Sequence, residues 1–425
     1  MEKSKQKQKL EIIIFIILLF LQNFAIVNTK EFGIAAITIF LIYIFIRHRM
    51  YQKIDKKSVI IVSAIVLFVV ISQLLNKAFN FLQLGRYSMI LFIGWTSIKY
   101  MEKVQEMNQK DFFNKAFYFA LIIITGYGVY QLIASKLQMP MFFNIFNNNP
   151  SYGARGLFES YSGWTKDIRI YTTFYEPSAY AIFLTIAYFY AMTFGNLDKD
   201  KRFTITVLTL FNIFFTYSRS GWVVFAYYIA IYIAFKLFKN NKPLMKLTKI
   251  GIILLPLITL AIMSTLGIYV FKDASSTART YSSLYYLVNS FNSIKGILVG
   301  HGLGAMLRIP AGLEYKGYVV ETFSHNGYID IVYQLGIPFF IIMTYAIIKY
   351  LKAKKIEDEW LIYATIFTLC CSGSMYSVES IIAIVCLVIG DFKLREHKKI
   401  EEETDNMLKE NKILSKILSI IKKED

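Results

Sequence analysis

Long apolar segments, each about the length that crosses a lipid bilayer, recur along this chain and are separated by short stretches rich in Lys and Arg. They run over residues 10–27, 32–46, 58–75, 81–98, 112–135, 178–194, 203–217, 221–238, 250–271, 326–348, 360–375 and 378–392. With 56% hydrophobic and 16% aromatic residues, the chain carries more apolar surface than a water-exposed fold of 425 residues tolerates. The pattern predicts an all-α polytopic membrane protein with about twelve transmembrane helices.

Charge sets the expected orientation. Lys3, Lys5, Lys7 and Lys9 precede the first apolar run, and no small-residue cleavage site follows it, so that run predicts an uncleaved first helix. With the N-terminus placed inside, most of the 47 Lys and Arg fall in the cytoplasmic stretches and the tail, as the positive-inside rule requires. The net charge of +18 is thereby explained by topology, and no nucleic-acid partner is implied. Cys370, Cys371 and Cys386 all fall within apolar segments, so the sequence offers no loop disulfide and no metal-ligand spacing, and it implies no cofactor. Residues 1–392 form the expected transmembrane domain, and 393–425 a cytoplasmic tail. There Met407, Leu408, Ile413, Leu414, Ile417 and Leu418 recur at helical spacing among lysines, which suits the anionic inner leaflet of the bilayer.

Two external segments, 136–177 and 272–325, are too long to be turns, and function concentrates in such segments. Arg169 and Glu176 approach the sixth span from the first of them. Glu176-Pro177-Ser178 makes a sound helix start in its own right, while Arg169 and Glu176 together suit a polar substrate at the membrane surface. Arg219, in Ser218-Arg219-Ser220-Gly221, sits against the charge bias. It either snorkels to lipid phosphate or, between two serines, holds an oxyanion in its guanidinium fork. Arg279 begins the second segment, and Gly300-His301-Gly302-Leu303-Gly304 reads as a tight glycine turn. His325, at the mouth of the tenth span, is the candidate general base, because imidazole accepts a proton from a hydroxyl near neutral pH. Asn326 follows it directly, and Gly336 lies eleven residues on, within the tenth span.

Taken in order, these stretches resemble the superfamily of O-antigen ligases and Wzy-type oligosaccharide repeat-unit polymerases. The resemblance covers residues 169–336; the first five spans share only hydropathy. In the ligase branch the catalytic loop reads His, then Asn, Ser or Gln, nine residues, Gly, two more, and Gly, Thr or Val. His325, Asn326 and Gly336 fit that pattern, and Phe339 departs from it at the last position. The Phe174-to-Ser178 segment resembles the polymerase branch.

The resemblance implies a GT-C-type membrane glycosyltransferase that works without a metal on polyprenyl-diphosphate-linked oligosaccharides at the outer face of the cytoplasmic membrane. Arg219 and Arg279 would hold the diphosphate, Arg169 and Glu176 would bind substrate, and His325 would act on the acceptor hydroxyl. A flippase and a chain-length regulator are the implied protein partners. Ligase-like transfer of a finished glycan to another acceptor is the alternative within the superfamily. A flippase for the same lipids is the rival from another class, although Arg86, Asp330 and Glu379 are few ionisable groups for a central path.

Overall fold

The computed structural model describes residues 2–28, 33–54, 56–77, 81–149, 155–162, 168–252, 254, 274–322, 324, 326–352, 359–371 and 380–391. They are mostly helical. Helices α1 (Glu2–Phe20), α2 (Ala36–Arg47), α3 (Lys56–Leu75), α4 (Phe81–Glu106) and α5 (Lys110–Lys136) lead to α6 (Pro177–Phe194), α7 (Lys199–Phe215), α8 (Arg219–Phe238) and α9 (242–252). After them come α10 (Ala274–Ser290), α11 (Ile294–Val299), α12 (Gly327–Lys352), α13 (Glu359–Cys371) and α14 (Ser380–Asp391). Among the described residues, α5, α6, α8 and the Gly327–Tyr345 part of α12 are long and apolar enough to cross a membrane, and α2, α14 and part of α3 are shorter apolar helices.

Helix α6 is the hub. It starts on Pro177, whose missing N–H costs nothing at the first helical position, and α5, α7, α8 and α13 surround it. Between apolar helices, close van der Waals approach replaces the hydrophobic drive available in water, so small residues mark the contacts. A Cβ on Gly221 of α8 would lie 2.3 Å from the Ala181 Cβ of α6. Gly128 of α5 gives the same access to Asn212 of α7, whose Nδ2 donates to the Thr125 carbonyl at 2.9 Å.

The first expected span is shortened. Helix α1 ends at Phe20, and residues 25–28 form strand β1, paired antiparallel with β2 (Gly33–Ala35). Tertiary hydrogen bonds draw the chain out of the helix: Thr173 Oγ1 donates to the Phe20 carbonyl, Asn23 N to the Thr173 carbonyl at 3.1 Å, and Ala25 N to Asn148 Oδ1 at 2.8 Å. The ninth expected span lies mostly outside the described residues, as does the 393–425 tail.

Between α5 and α6, β3 (Tyr161–Ser162) pairs antiparallel with β4 (Ile168–Arg169). The second long segment is not an irregular loop. It holds α10, α11 and the hairpin β5 (Glu314–Tyr315) to β6 (Tyr318–Val319), and its Tyr286, Ala305, Met306 and Val320 form a buried cluster with Ile329 and Tyr333 of α12, apart from the main core. The tenth span is likewise interrupted: Gly336 inside α12 takes φ 81° and ψ 171°, two residues before Pro338.

Two groups of polar contacts join distant segments near the ends of the apolar helices. In one, Glu11 meets Arg47 and His48, Lys110 meets Asp391, and Lys249 meets Glu359. In the other, Asn23 meets Thr173, Ser72 Oγ donates to the Val299 carbonyl, and Asn76 Nδ2 to the Gly300 carbonyl.

Candidate functional site

The chain entering α6 is threaded through the protein interior. Ile170, Tyr171, Thr172, Thr173 and Phe174 are all buried. Side-chain amides meet part of the backbone here: Gln131 Oε1 accepts from Tyr171 N and Thr172 N at 3.0 and 2.9 Å, and Gln22 Oε1 accepts from Tyr175 N at 3.2 Å, while Ile170 N donates to the Phe215 carbonyl at 3.0 Å. This scaffold presents Glu176 half-buried at the start of α6. Its carboxylate does not cap the helix amides and instead accepts from the Ser178 hydroxyl.

Arg169 lies at the far end of α7. Its Nε donates to the Thr216 carbonyl at 2.8 Å and one terminal nitrogen to the Tyr217 carbonyl at 3.2 Å. These carbonyls close a helix C-terminus, where a cation is favoured by the helix dipole. Tyr217 turns the chain with a left-handed φ of 45°, and Ser218 caps α8 by accepting from Gly221 N at 3.2 Å. Arg219 is exposed at this turn, so Arg169 and Arg219 are brought to one place, with Arg169 built into the support of Arg219.

Arg155 belongs to the same region and was not singled out from the sequence. Its guanidinium lies 4.8 Å from the Tyr171 ring centroid and donates to the Tyr175 carbonyl at 3.1 Å, next to Glu176. Burial pushes the Tyr171 phenol up from its ordinary pKa, while Asn144 and Arg155 pull it back. Nothing in the local sequence around Arg155 marks it, because its role comes from a loop folding back over Tyr171.

The second group forms along α10. Ser282 Oγ accepts from Glu321 N at 2.8 Å, and Ser283 Oγ donates to the Ser324 carbonyl. Tyr286 OH donates to the Glu321 carbonyl at 2.5 Å. Burial, with Tyr333 and the Asp330 carboxylate adding to it, raises the Tyr286 pKa, so the phenol stays a neutral donor. The fully buried Asp330 accepts from Ser324 N at 3.0 Å and from Ser324 Oγ at 2.5 Å. Asn326 caps α12, its Oδ1 accepting from Tyr328 N at 3.0 Å. Arg279 is exposed on α10, three and four residues before the two serines, and so lies one helical turn from the clamp they make. His325 lies outside the described residues; Ser324 and Asn326, on either side of it in the chain, are both fixed by the contacts above.

Gly336 sits where α12 breaks against the glycine turn of the second segment. A Cβ there would come within 2.8 Å of the Leu298 backbone, which explains glycine at this position by close approach. His301 stacks on Tyr333 with ring centroids 4.5 Å apart, and its Nε2 lies 3.0 Å from the Asn289 carbonyl. A carbonyl only accepts, so Nε2 carries the proton. Among the described residues no three His, Cys, Asp or Glu side chains gather as metal ligands would. No family model, curated protein or solved structure matches this chain.

Proposed function

We propose that this protein is a membrane glycosyltransferase that polymerises polyprenyl-diphosphate-linked oligosaccharide repeat units into a surface polysaccharide, with its site on the outer face of the cytoplasmic membrane. The observation that carries the reading is the clamp of Ser282 and Ser283 on residues 321–324. It ties the helix bearing Arg279 to the segment bearing His325, the cation and the base that such a transfer needs. Contacts between distant segments that join residues at the same expected side support the reading: Asn23 with Thr173 and Asn76 with Gly300 toward the outside, and Glu11 with Arg47, Lys110 with Asp391 and Lys249 with Glu359 toward the inside.

In the reaction, the acceptor hydroxyl of one lipid-linked unit attacks the anomeric carbon of the growing chain. His325 takes the hydroxyl proton as the new glycosidic C–O bond forms. The bond from the anomeric carbon to the diphosphate breaks, and the polyprenyl diphosphate leaves with the electron pair. Its developing charge is met by the Arg279 and Arg219 guanidinium groups, which match phosphate oxygens in a planar fork.

The test is turnover of a lipid-linked oligosaccharide by purified protein with a chelator present. Wild type should elongate the glycan, and folded Arg279→Ala and His325→Ala proteins should lose at least about a hundredfold in rate. Elongation by both variants at the wild-type rate rules this mechanism out. Deleting the gene separates polymerase from ligase: single capping units on the cell surface support polymerisation, and free lipid-linked polymer points to ligation.

A further inference from the structure

The β5–β6 hairpin turns through Lys316 and Gly317, with φ of 52° and 80°, the left-handed pair that a two-residue turn between twisted strands demands. This turn sets Tyr315 opposite Tyr318. Both rings then meet tyrosines of α10. Tyr318 stacks on Tyr281 with centroids 4.7 Å apart and planes 13° from parallel, and Tyr315 meets Tyr285 edge-on at 5.6 Å. Tyr281 and Tyr285 are four residues apart and share one helix face, so the four rings form a raft.

Tyr285 and Tyr315 pack against the buried cluster, and the Tyr281–Tyr318 stack is the half of the raft that the core does not need. Tyr286 fills the core and spends its hydroxyl on Glu321, whereas Tyr281 and Tyr318 lie outside the buried cluster and Tyr318 is exposed. Among the described residues, none of the four raft hydroxyls meets a hydrogen-bond partner. The exposed side of the Tyr281–Tyr318 stack, rimmed by unspent hydroxyls, matches a pyranose chain, whose C–H faces stack on aromatic rings and whose hydroxyls pair at the edges, while Lys316 lies over the Tyr315 ring. A hydrocarbon surface would leave those hydroxyls unmet. Along the helix, Tyr281 falls about 200° around the axis from Arg279, so the raft lies on the side of α10 away from the proposed chemistry.

We infer that the Tyr281, Tyr285, Tyr315 and Tyr318 raft is a glycan-holding site for the chain beyond its reacting end. The inference rests on the glycosyltransferase reading for the identity of the glycan, but binding can be measured without transfer.

The test uses the full chain in lipid nanodiscs and free oligosaccharides of single and several repeat units, released by mild acid from the source cell's own surface glycan. By saturation-transfer NMR titration, wild type should bind the longer oligosaccharide more tightly than the single unit. Tyr318→Ala and Tyr281→Ala should each weaken it about tenfold, and Tyr318→Trp should retain it. In turnover, Tyr318→Ala should shorten the product. Should Tyr281→Ala fail to fold, Tyr318→Ser gives the same reading from the exposed side of the pair.

Unchanged binding in the alanine variants overturns the raft. So does protection of Tyr318→Cys from aqueous maleimide by the bilayer, measured in a chain with Cys370, Cys371 and Cys386 replaced by Ser. A wild-type protein that binds glycan at the raft yet transfers nothing rejects the enzyme reading and keeps the raft. One that transfers normally but binds the longer oligosaccharide no better than Tyr318→Ala does the reverse.

Discussion

The backbone N–H of Gly302 donates to the Gln334 carbonyl at 3.0 Å, supplying the acceptor whose own helical donor would be Pro338. One residue back, His301 N does the same for the Tyr333 carbonyl at 2.8 Å. The break in α12 therefore leaves neither of these carbonyls unsatisfied, which is the condition for interrupting an apolar helix. Gly336 and Gly300 adopt backbone conformations that are essentially closed to other residues, at ψ 171° and −163° with positive φ.

Replacing either glycine by Ala should therefore be costly. A Cβ on Gly300 meets the Gln334 backbone at 2.4 Å, so strain and contact add, and a loss of about 3 kcal/mol is expected. Pro338→Ala restores an N–H whose acceptor is already taken by Gly302, and should cost less than about 1 kcal/mol. Equilibrium unfolding in mixed micelles checks this order; equal losses for Gly336→Ala and Pro338→Ala would show that the glycine turn does not hold the break.

Arg169 and Arg219 should separate stability from chemistry. Arg169 holds two carbonyls at the end of α7, so Arg169→Ala should cost about 2 kcal/mol, and Lys, lacking the planar fork, should recover less than half of it. Arg219 is exposed, and Arg219→Ala should stay within about 0.5 kcal/mol of wild type while transfer falls. Thermal unfolding alongside turnover reads both. A stable Arg169→Ala protein would remove its capping role.

Hydropathy made α5, α6 and α8 legible, because a long uninterrupted apolar run has one low-energy outcome in lipid. It misplaced the end of α1 because the run continues through Ala25, Ile26 and Val27, and only the distant Asn148 and Thr173 turn that stretch into a strand. Of the helices in the second long segment, α10 mixes polar and apolar residues and α11 spans only Ile294–Val299, so neither shows as a long apolar run. Arg219 stands out in the sequence because an arginine against the expected charge bias is visible in one dimension, and Arg279 because it opens a long segment between apolar runs. The capping duty of Arg169 and the stacking of Arg155 on Tyr171 depend on contacts with segments tens of residues away or on a loop fold, which spacing does not encode.

Asp330 should act through the segment it holds. Its carboxylate accepts both the N–H and the hydroxyl of Ser324 while fully buried, so Asp330→Ala strands two donors and should cost about 3 kcal/mol. Asp330→Asn keeps an acceptor oxygen and should keep most of the stability. Ser283→Ala removes one donor to the Ser324 carbonyl, and about 1 kcal/mol is expected. On the proposed function, Ser283→Ala should lower kcat with KM little changed, since it loosens the catalytic segment without touching bound substrate. A change confined to KM would count against the clamp.

At the opposite set of contacts, Asp391 of α14 accepts from Lys110 Nζ of α5 and from Tyr190 OH of α6, both at 2.5 Å. The side chain of Asp391 is 3% exposed and that of Lys110 20%, so the two charges do not suffer equally when parted. Lys110→Met leaves a carboxylate deep in the protein with one phenol for company, and should cost about 4 kcal/mol. Asp391→Leu leaves an ammonium that reaches water along its flexible stem, and should cost about 2 kcal/mol. The double variant Lys110→Met with Asp391→Leu removes both desolvation penalties along with the attraction, and should return to within about 1 kcal/mol of wild type. A double-mutant cycle in equilibrium unfolding measures the coupling directly. Losses that simply add would mean that α14 is held to α5 by its apolar packing, with the ion pair contributing nothing that depends on both partners.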